Sequence, residues 1–155
     1  MEEEFYLRFQ CVRKKKNRDK KTYVSDTLSI EVTGDGLVTY KNISKYKLSE
    51  EVKLSVNLTP IVLEEIVAMV DESNIFLESD SYWPEPDEFG SWEIEIVRYN
   101  EHISFLTKIF TYSGEFKKTK DPEGVAVLFY LVKNLESFIH SLLNSHQKRI
   151  PFGRK

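Results

Sequence analysis

The chain has almost no cysteine, the residue that forms disulfide cross-links in proteins. Cysteine occurs once in 155 residues, at Cys11, so no disulfide can form within the chain. A lone thiol is natural in a reducing compartment, the cytosol or the nucleus. Cys11 lies on the apolar side of an alternating stretch, which predicts an inert core side chain.

Long apolar runs are also lacking. No uninterrupted run approaches the roughly 20 apolar residues of a membrane span. The acidic start, MEEEFYLRF, does not have the pattern of a signal peptide. We therefore expect neither a membrane segment nor an export signal. A length of 155 residues predicts one domain, and 41% hydrophobic and 13% aromatic residues suffice for its core.

The motifs of common enzyme chemistry are missing. The sequence has no G-x-S-x-G, P-loop or G-x-G-x-x-G segment. His140 and His146 are six residues apart, about 600° around a helix, so they do not form a zinc pair. His102 lies in a predicted strand next to Glu101, where a structural role is expected. A small hydrolase using His102 and a nearby acid therefore has little support, and no metal or cofactor is predicted.

Charge is unevenly distributed although the net charge is only −3. Residues 13–21 carry seven basic side chains and one acid, or +6, and residues 148–155 add +4, so the remainder carries −13. Such an acidic body is not typical of a general nucleic-acid binder, but it suits a partner of mixed charge. Three interpretations of residues 13–21 stay open: a solvated hairpin tip, a nuclear-import signal, or an RNA contact without interleaved aromatic residues to stack bases.

Apolar and polar residues alternate in segments that predict about six antiparallel strands. These segments are 4–12, 22–32, 37–40, 50–57 (weakly), 92–97 and 102–105, with 108–112 continuing the last pairing. The Thr33–Gly36 stretch, TGDG, predicts a hairpin turn. Polar loops are predicted at 13–21, 41–48 and 113–120, and a proline-containing crossing that covers Trp83 is predicted at 78–91.

Two long helices begin with the same signal. Thr59-Pro60 and Asp121-Pro122 each place a capping side chain before a proline suited to the first helical position. The first helix should end near Ser73, with Asp71 and Glu72 in a last turn whose dipole disfavours acids. Either water solvates these two carboxylates or a partner's basic groups meet them.

The second helix, over about 122–146, is apolar nearly all round in its first half. It is therefore either buried on two sides or holds a second surface for another molecule. The predicted fold is α+β: a roughly six-stranded antiparallel sheet with two long helices packed on one face.

Five segments in order resemble the Mago nashi family. They are EFYLRF at 4–9, WPEPD at 83–87, EIEIV at 93–97, EHISF at 101–105 and KDPEG at 120–124. The chain departs from the family at four places: Glu85 replaces a proline, the first hairpin is longer by about the basic run, His140 replaces a large apolar residue, and residues 153–155 extend the end. The resemblance implies a single Mago nashi-like domain over 1–152 and a basic tail at 153–155.

The resemblance also implies a function. Family members are non-enzymatic scaffolds of the exon junction complex, active in mRNA splicing, localisation and nonsense-mediated decay. They form a heterodimer with a Tsunagi-type RNA-recognition-motif protein and lock a DEAD-box helicase on spliced mRNA. A Barentsz-type subunit wraps the helicase, and a ribosome-associated factor dismantles the complex. RNA is then contacted only indirectly, no cofactor or membrane is involved, and the protein is nuclear and shuttles to the cytoplasm. The alternative function is direct RNA binding through the hairpin 13–21.

Carried onto this sequence, the resemblance implies a set of site residues. The expected interface with the RNA-recognition-motif partner comprises Glu64, Ala68, Glu72, Phe129, Tyr130, Lys133, Ser137 and His140. The expected helicase contacts are Lys45, Tyr46, Lys47, Asp71 and Glu72, and Glu123 is the expected contact of the disassembly factor. The expected core includes Phe5, Leu7, Trp83, Ile94, Ile96, Leu128, Leu135 and Leu142.

Overall fold

The structure is a computed structural model that describes residues 4–16, 18–19, 23–44 and 50–147. It contains β-strands, two α-helices and two short 3-10 helices, Ile75–Leu77 and Ser113–Lys118. In chain order the strands and α-helices are β1 (Phe5–Lys16), β2 (Tyr23–Thr33), β3 (Leu37–Ser44), β4 (Glu50–Asn57), α1 (Pro60–Ser73), β5 (Gly90–Arg98), β6 (Glu101–Thr107) and α2 (Pro122–Gln147). The predicted α+β class is confirmed.

The strands form one antiparallel sheet in the order β4-β3-β2-β1-β5-β6. The central strand β1 pairs with β2 on one side and with β5 on the other, so Leu7 lies opposite both Val32 and Ile96. Burial alternates along β1 and β5 because successive side chains point to opposite faces. One face therefore forms the core, and the other, called here the open face, carries half-exposed polar side chains.

Both helices contribute to this single core, and they contact each other. Their predicted caps are confirmed. The Thr59 hydroxyl oxygen accepts the backbone N–H of Val62 at 3.4 Å, and Asp121 Oδ1 accepts that of Gly124 at 3.1 Å. Asp121 also has a tertiary role, since its Oδ2 accepts the indole N–H of Trp83 at 3.0 Å. This hydrogen bond connects the loop before β5 to the start of α2.

The α2 helix places its most apolar stripe against the sheet. By length and composition alone, Pro122–Ser145 is long and apolar enough to cross a membrane. The buried hydrophobic residues of α2 are Val125, Leu128, Phe129, Leu131, Val132, Leu135, Ile139 and Leu143. The predicted core residues are buried as well, except Leu142, which is half-buried and packs against the core.

Several predicted boundaries were wrong. The β1 strand continues through Lys16, because residues 13–16 of the presumed loop pair with β2, and β3 continues to Ser44. Residues 108–112 do not form a strand: Ile109 and Phe110 are buried in succession, which a strand with one buried face does not permit. The presumed loop after them contains the 3-10 helix Ser113–Lys118, in which Phe116 is buried.

Candidate protein-binding surface

A groove runs between α1 and α2 on their solvent-facing side. Its volume is about 350 Å³. Met69, Ala126, Val127 and Leu131 supply its apolar lining. Polar or amphipathic side chains complete it: Glu72, Ser73, Tyr130 and Asn134. Tyr130 is 52% exposed, and it places a large, partly apolar side chain at the edge of the apolar groove.

The α2 residues expected to meet the partner divide into two stripes. Tyr130 and Ser137 are exposed and lie about 20° apart around the helix axis. Phe129, Lys133 and His140 form a second stripe on the flank of α2, where each is buried or half-buried. The structure therefore does not present the five residues as one exposed surface.

The expectation that Phe129 faces outward was wrong. Its side chain is only 7% exposed. The ring lies 5.5 Å from that of Phe116 and 6.2 Å from that of Trp92, measured between centroids. The helical period alone placed Phe129 outside the core stripe, but the 3-10 helix before α2 folds back and covers it. Phe129 is thus a core residue in this chain.

The flanking positions Lys133 and His140 also contact the sheet side of the molecule. The Lys133 ammonium lies 5.9 Å from the centre of the Trp92 ring, a cation–π geometry. His140 packs edge-on against Tyr40 with 5.8 Å between ring centroids. Burial lowers the pKa of His140, since an imidazolium is poorly solvated there. Its imidazole therefore acts as a largely neutral packing group.

The expected α1 residues also divide between two grooves. Glu72 lines the groove that Tyr130 borders. Glu64 and Ala68 line a different groove, between α1 and the β2–β3 turn, with Leu63 and Val67. Glu72 and Tyr130 thus line one groove and Glu64 and Ala68 the other, although Ala68 lies one turn before Glu72 on the same side of α1.

Among the expected helicase contacts, Asp71 has a partner within the chain. Its two carboxylate oxygens accept hydrogen bonds from Arg98 Nε and Nη2 at 3.1 and 3.0 Å. Sequence reasoning missed Arg98, whose side chain is buried at the end of β5. An acid in the last turn of a helix was the available signal, because a nearby cation offsets its unfavourable interaction with the helix dipole. Glu72 is exposed, and Lys45, Tyr46 and Lys47 lie outside the described residues, so their helicase contacts stay predictions.

The expected contact of the disassembly factor, Glu123, is exposed in the first turn of α2. It belongs to an acidic corner with Glu78 and Asp121. Burial, and then the charges of Asp121 and Glu123, raise the pKa of Glu78. This corner is a surface of concentrated negative charge at the helix start.

His102 lies on the open face of the sheet and is exposed. Its Nε2 is 2.8 Å from Glu95 Oε2, and Arg8 Nη2 is 3.3 Å from Glu95 Oε1. The hydrogen bond with His102 and the contact with Arg8 lower the pKa of Glu95. Within the described ranges, no three His, Cys, Asp or Glu residues cluster as metal ligands. His102 is part of a surface ion-pair network, and its neighbour is Glu95 rather than the adjacent Glu101.

Comparison with known proteins gives a consistent result. The sequence profile of a family described as "Mago nashi protein" matches residues 5–152. A relative from Arabidopsis thaliana, "Protein mago nashi homolog", is 40% identical over 148 residues, which is 96% of this chain and 95% of the relative. The chain therefore belongs to the Mago nashi family, whose members take part in mRNA processing as components of the exon junction complex.

Proposed function

We propose that this protein is a non-enzymatic scaffold that binds an RNA-recognition-motif protein through the groove between α1 and α2. The observation that carries the proposal is Tyr130, 52% exposed beside the apolar residues Val127 and Met69. The opposite side of α2 packs in the core, so this groove is a second surface of the same helix. Tyrosine at the rim of an apolar depression is typical of residues that dominate interface energies.

The chemistry of the partner fits this surface. An RNA-recognition-motif domain carries aromatic side chains on its sheet, which normally stack on bases. Packing that sheet across α1 and α2 would bury those rings against the groove and remove them from RNA. Glu72 and Asn134 then supply polar contacts at the rim. Such a partner would be held by protein contacts alone.

The proposed complex acts on a DEAD-box helicase by differential binding. A scaffold that prefers the closed, RNA-bound helicase stabilises that state by the difference between its affinities for the closed and open forms. ATP chemistry belongs to the helicase. Glu72 and the segment with Lys45, Tyr46 and Lys47 are the proposed helicase contacts, whereas Glu123 is proposed to bind a ribosome-associated disassembly factor. A Barentsz-type subunit on the helicase and a nuclear, shuttling location complete the proposal.

The test compares two exposed tyrosines. Tyr130→Glu places a charge in the groove, whereas Tyr82→Glu changes a residue that is 68% exposed and does not line it. We expect Tyr130→Glu to weaken binding of the RNA-recognition-motif partner by roughly 30-fold or more, the effect of a hot-spot residue. Tyr82→Glu should bind like the unchanged chain. Isothermal titration calorimetry measures both.

Circular dichroism confirms that each variant is folded before binding is compared. A Phe129 variant is unsuitable here, because that buried ring stabilises the chain itself. If folded Tyr130→Glu binds the partner with unchanged affinity, the groove is not the interface and the proposal fails.

A further inference from the structure

The β1–β2 hairpin extends beyond the rest of the sheet. Pairing between β1 and β5 ends at Arg13 and Gly90, and pairing between β2 and β3 ends at Asp26 and Ser44. The β1–β2 pairing continues to Lys16. Residues 13–16 and 23–26 therefore form a projecting two-stranded segment, called here the basic ribbon.

Cations occupy both faces of the basic ribbon. Arg13, Lys14, Lys15 and Lys16 are consecutive, and all four are exposed. Because neighbouring strand residues point to opposite faces, Lys14 and Lys16 share one face at a spacing of about 6.6 Å. The whole run of residues 13–21 carries +6. A flexible polyanion can therefore meet several positive charges along this segment.

An aromatic side chain from a distant part of the chain lies beside these cations. Phe89, just before β5, is 64% exposed, and its carbonyl accepts the backbone N–H of Lys14 at 3.0 Å. Phe89, Lys14 and Lys15 line two adjoining depressions of about 320 and 270 Å³. Residues 13–21 contain no aromatic residue, but the fold places Phe89 beside them.

The backbone holds Phe89 in this position. Its N–H donates to Asp87 Oδ1 at 2.9 Å, and Asp87 and Gly90 exchange two backbone hydrogen bonds. Gly90 has φ 133°, and a Cβ there would lie 1.9 Å from the Val12 carbonyl oxygen. Only glycine permits this close approach of the chain to β1. The ring is thus presented from a constrained turn.

Nearby carboxylates offset only part of the charge of the run, since residues 13–16 carry four cations and the two depressions contain two carboxylates, Asp26 and Glu88. Asp87 is engaged by the N–H of Phe89, and its Oδ2 lies 4.0 Å from Lys108 Nζ. Asp26 accepts the Ser44 hydroxyl at 3.0 Å. Glu88 lines the smaller depression and faces the lysines there. The cations remain in excess along β1.

We propose that the basic ribbon and Phe89 together bind single-stranded RNA. The cations contact successive phosphates, and the Phe89 ring stacks on an unpaired base. An acidic protein segment would use the cations but would gain nothing specific from an exposed ring. A duplex keeps its bases stacked inside, out of reach of Phe89. This RNA contact belongs to the chain itself and does not depend on the heterodimer.

The test measures binding of a fluorescent oligouridine of about 15 nucleotides to the full chain by anisotropy. With four phosphates contacted, log K should fall with log salt with a slope of about −3. Phe89→Ala should weaken binding by roughly 5-fold to 150-fold, the effect of one stacked base, without changing this slope. Phe89→Trp should retain or improve affinity.

The charge contribution is tested separately. Lys14→Ala with Lys16→Ala should reduce the magnitude of the slope by about 1.4. Lys117→Ala with Lys118→Ala is the matched control, because these two lysines are also exposed but lie in the 3-10 helix before α2. The control should leave both affinity and slope unchanged.

Three results would overturn the proposal. One is unchanged RNA affinity in Phe89→Ala. Another is equal competition by polyglutamate, which would show a surface for any polyanion. The third is equal affinity for duplex RNA of the same length. All these measurements use the chain without its partner. Their outcome therefore does not depend on whether the groove between α1 and α2 binds an RNA-recognition-motif protein.

Discussion

Arg98 and Asp71 join the end of β5 to the last turn of α1 through two hydrogen bonds of 3.1 and 3.0 Å. The Arg98 side chain is 7% exposed and that of Asp71 is 42% exposed, so the pair lies at the edge of the core. The guanidinium also lies 4.0 Å from the centre of the Tyr99 ring. A carboxylate at a helix C-terminus is unfavourable by itself, and Arg98 offsets that cost while Asp71 neutralises a buried cation.

We expect Asp71→Asn to lower the free energy of unfolding by about 1.5–3 kcal/mol, the value of hydrogen bonds to a charged group. The variant leaves the buried guanidinium without its counterion. Glu72→Gln, at the adjacent exposed position, should change stability by less than about 0.5 kcal/mol. Urea denaturation measures both, and equal effects would show that the pair does not stabilise the fold.

The second prediction concerns the two helix caps. Thr59→Ala removes one cap from α1 and should cost about 1 kcal/mol. Asp121→Ala should cost more, about 2–3 kcal/mol, because it also leaves the buried indole N–H of Trp83 without its acceptor. Thermal and urea unfolding of the two variants give the comparison. A smaller loss for Asp121→Ala would mean that the bond to Trp83 contributes nothing.

The third prediction separates two neighbouring aromatic residues of α2. Phe129→Ala should destabilise the isolated chain by about 3–5 kcal/mol, because it opens a cavity between Phe116 and Trp92. Tyr130→Ala should cost the isolated chain less than about 1 kcal/mol, since half of that side chain already faces solvent. Urea unfolding of the chain without any partner is the appropriate measurement. Similar losses in both variants would contradict the assignment of Phe129 to the core.

The fourth prediction is a pH dependence at His140. Burial holds the pKa of the folded histidine below its usual value of about 6.5. Between the folded pKa and 6.5, the unfolded chain binds more protons than the folded chain. Stability therefore falls as the pH drops through this window, and it is fully present above it.

His140→Leu removes this proton binding. We subtract the free energy of unfolding of the unchanged chain from that of His140→Leu. This difference should rise as the pH falls from about 7 to 5, by at most about 1.4 kcal/mol per pH unit. Between about pH 7.5 and 8.5 the difference should be constant. Glu136, one turn earlier, is present in both proteins, so its own titration largely cancels. A difference that stays flat down to about pH 5 would contradict the role assigned to His140.

Much of the fold was predictable because its signals are local. The capping residues Thr59 and Asp121, the Thr33–Gly36 turn and the alternation in β1 and β5 act over a few neighbouring residues. Strand ends were less accurate, because pairing with another strand decides them. Residues 13–16 look like a solvated loop in sequence, yet β2 provides partners for their backbone groups.

The candidate site was predictable only in part. Tyr130, Glu72 and Ser137 are exposed where the resemblance implied a partner surface. Phe129 was misplaced, because its cover comes from residues before the helix rather than from the helical period. The ordered motifs nevertheless indicated the family correctly, and the profile match and the Arabidopsis relative confirm it.

The sequence by itself determined where strands and helices begin, which side of each is apolar, and the family to which the chain belongs. Periodicity, caps and turns depend on residues close in the chain, so they can be read without coordinates. Tertiary structure decided which side chains from distant segments meet. The pairing of Arg98 with Asp71, the cover over Phe129 and the position of Phe89 beside Lys14 all arise from packing between elements far apart in sequence. Burial, charge pairing and groove shape are set at those junctions, and no local pattern records them.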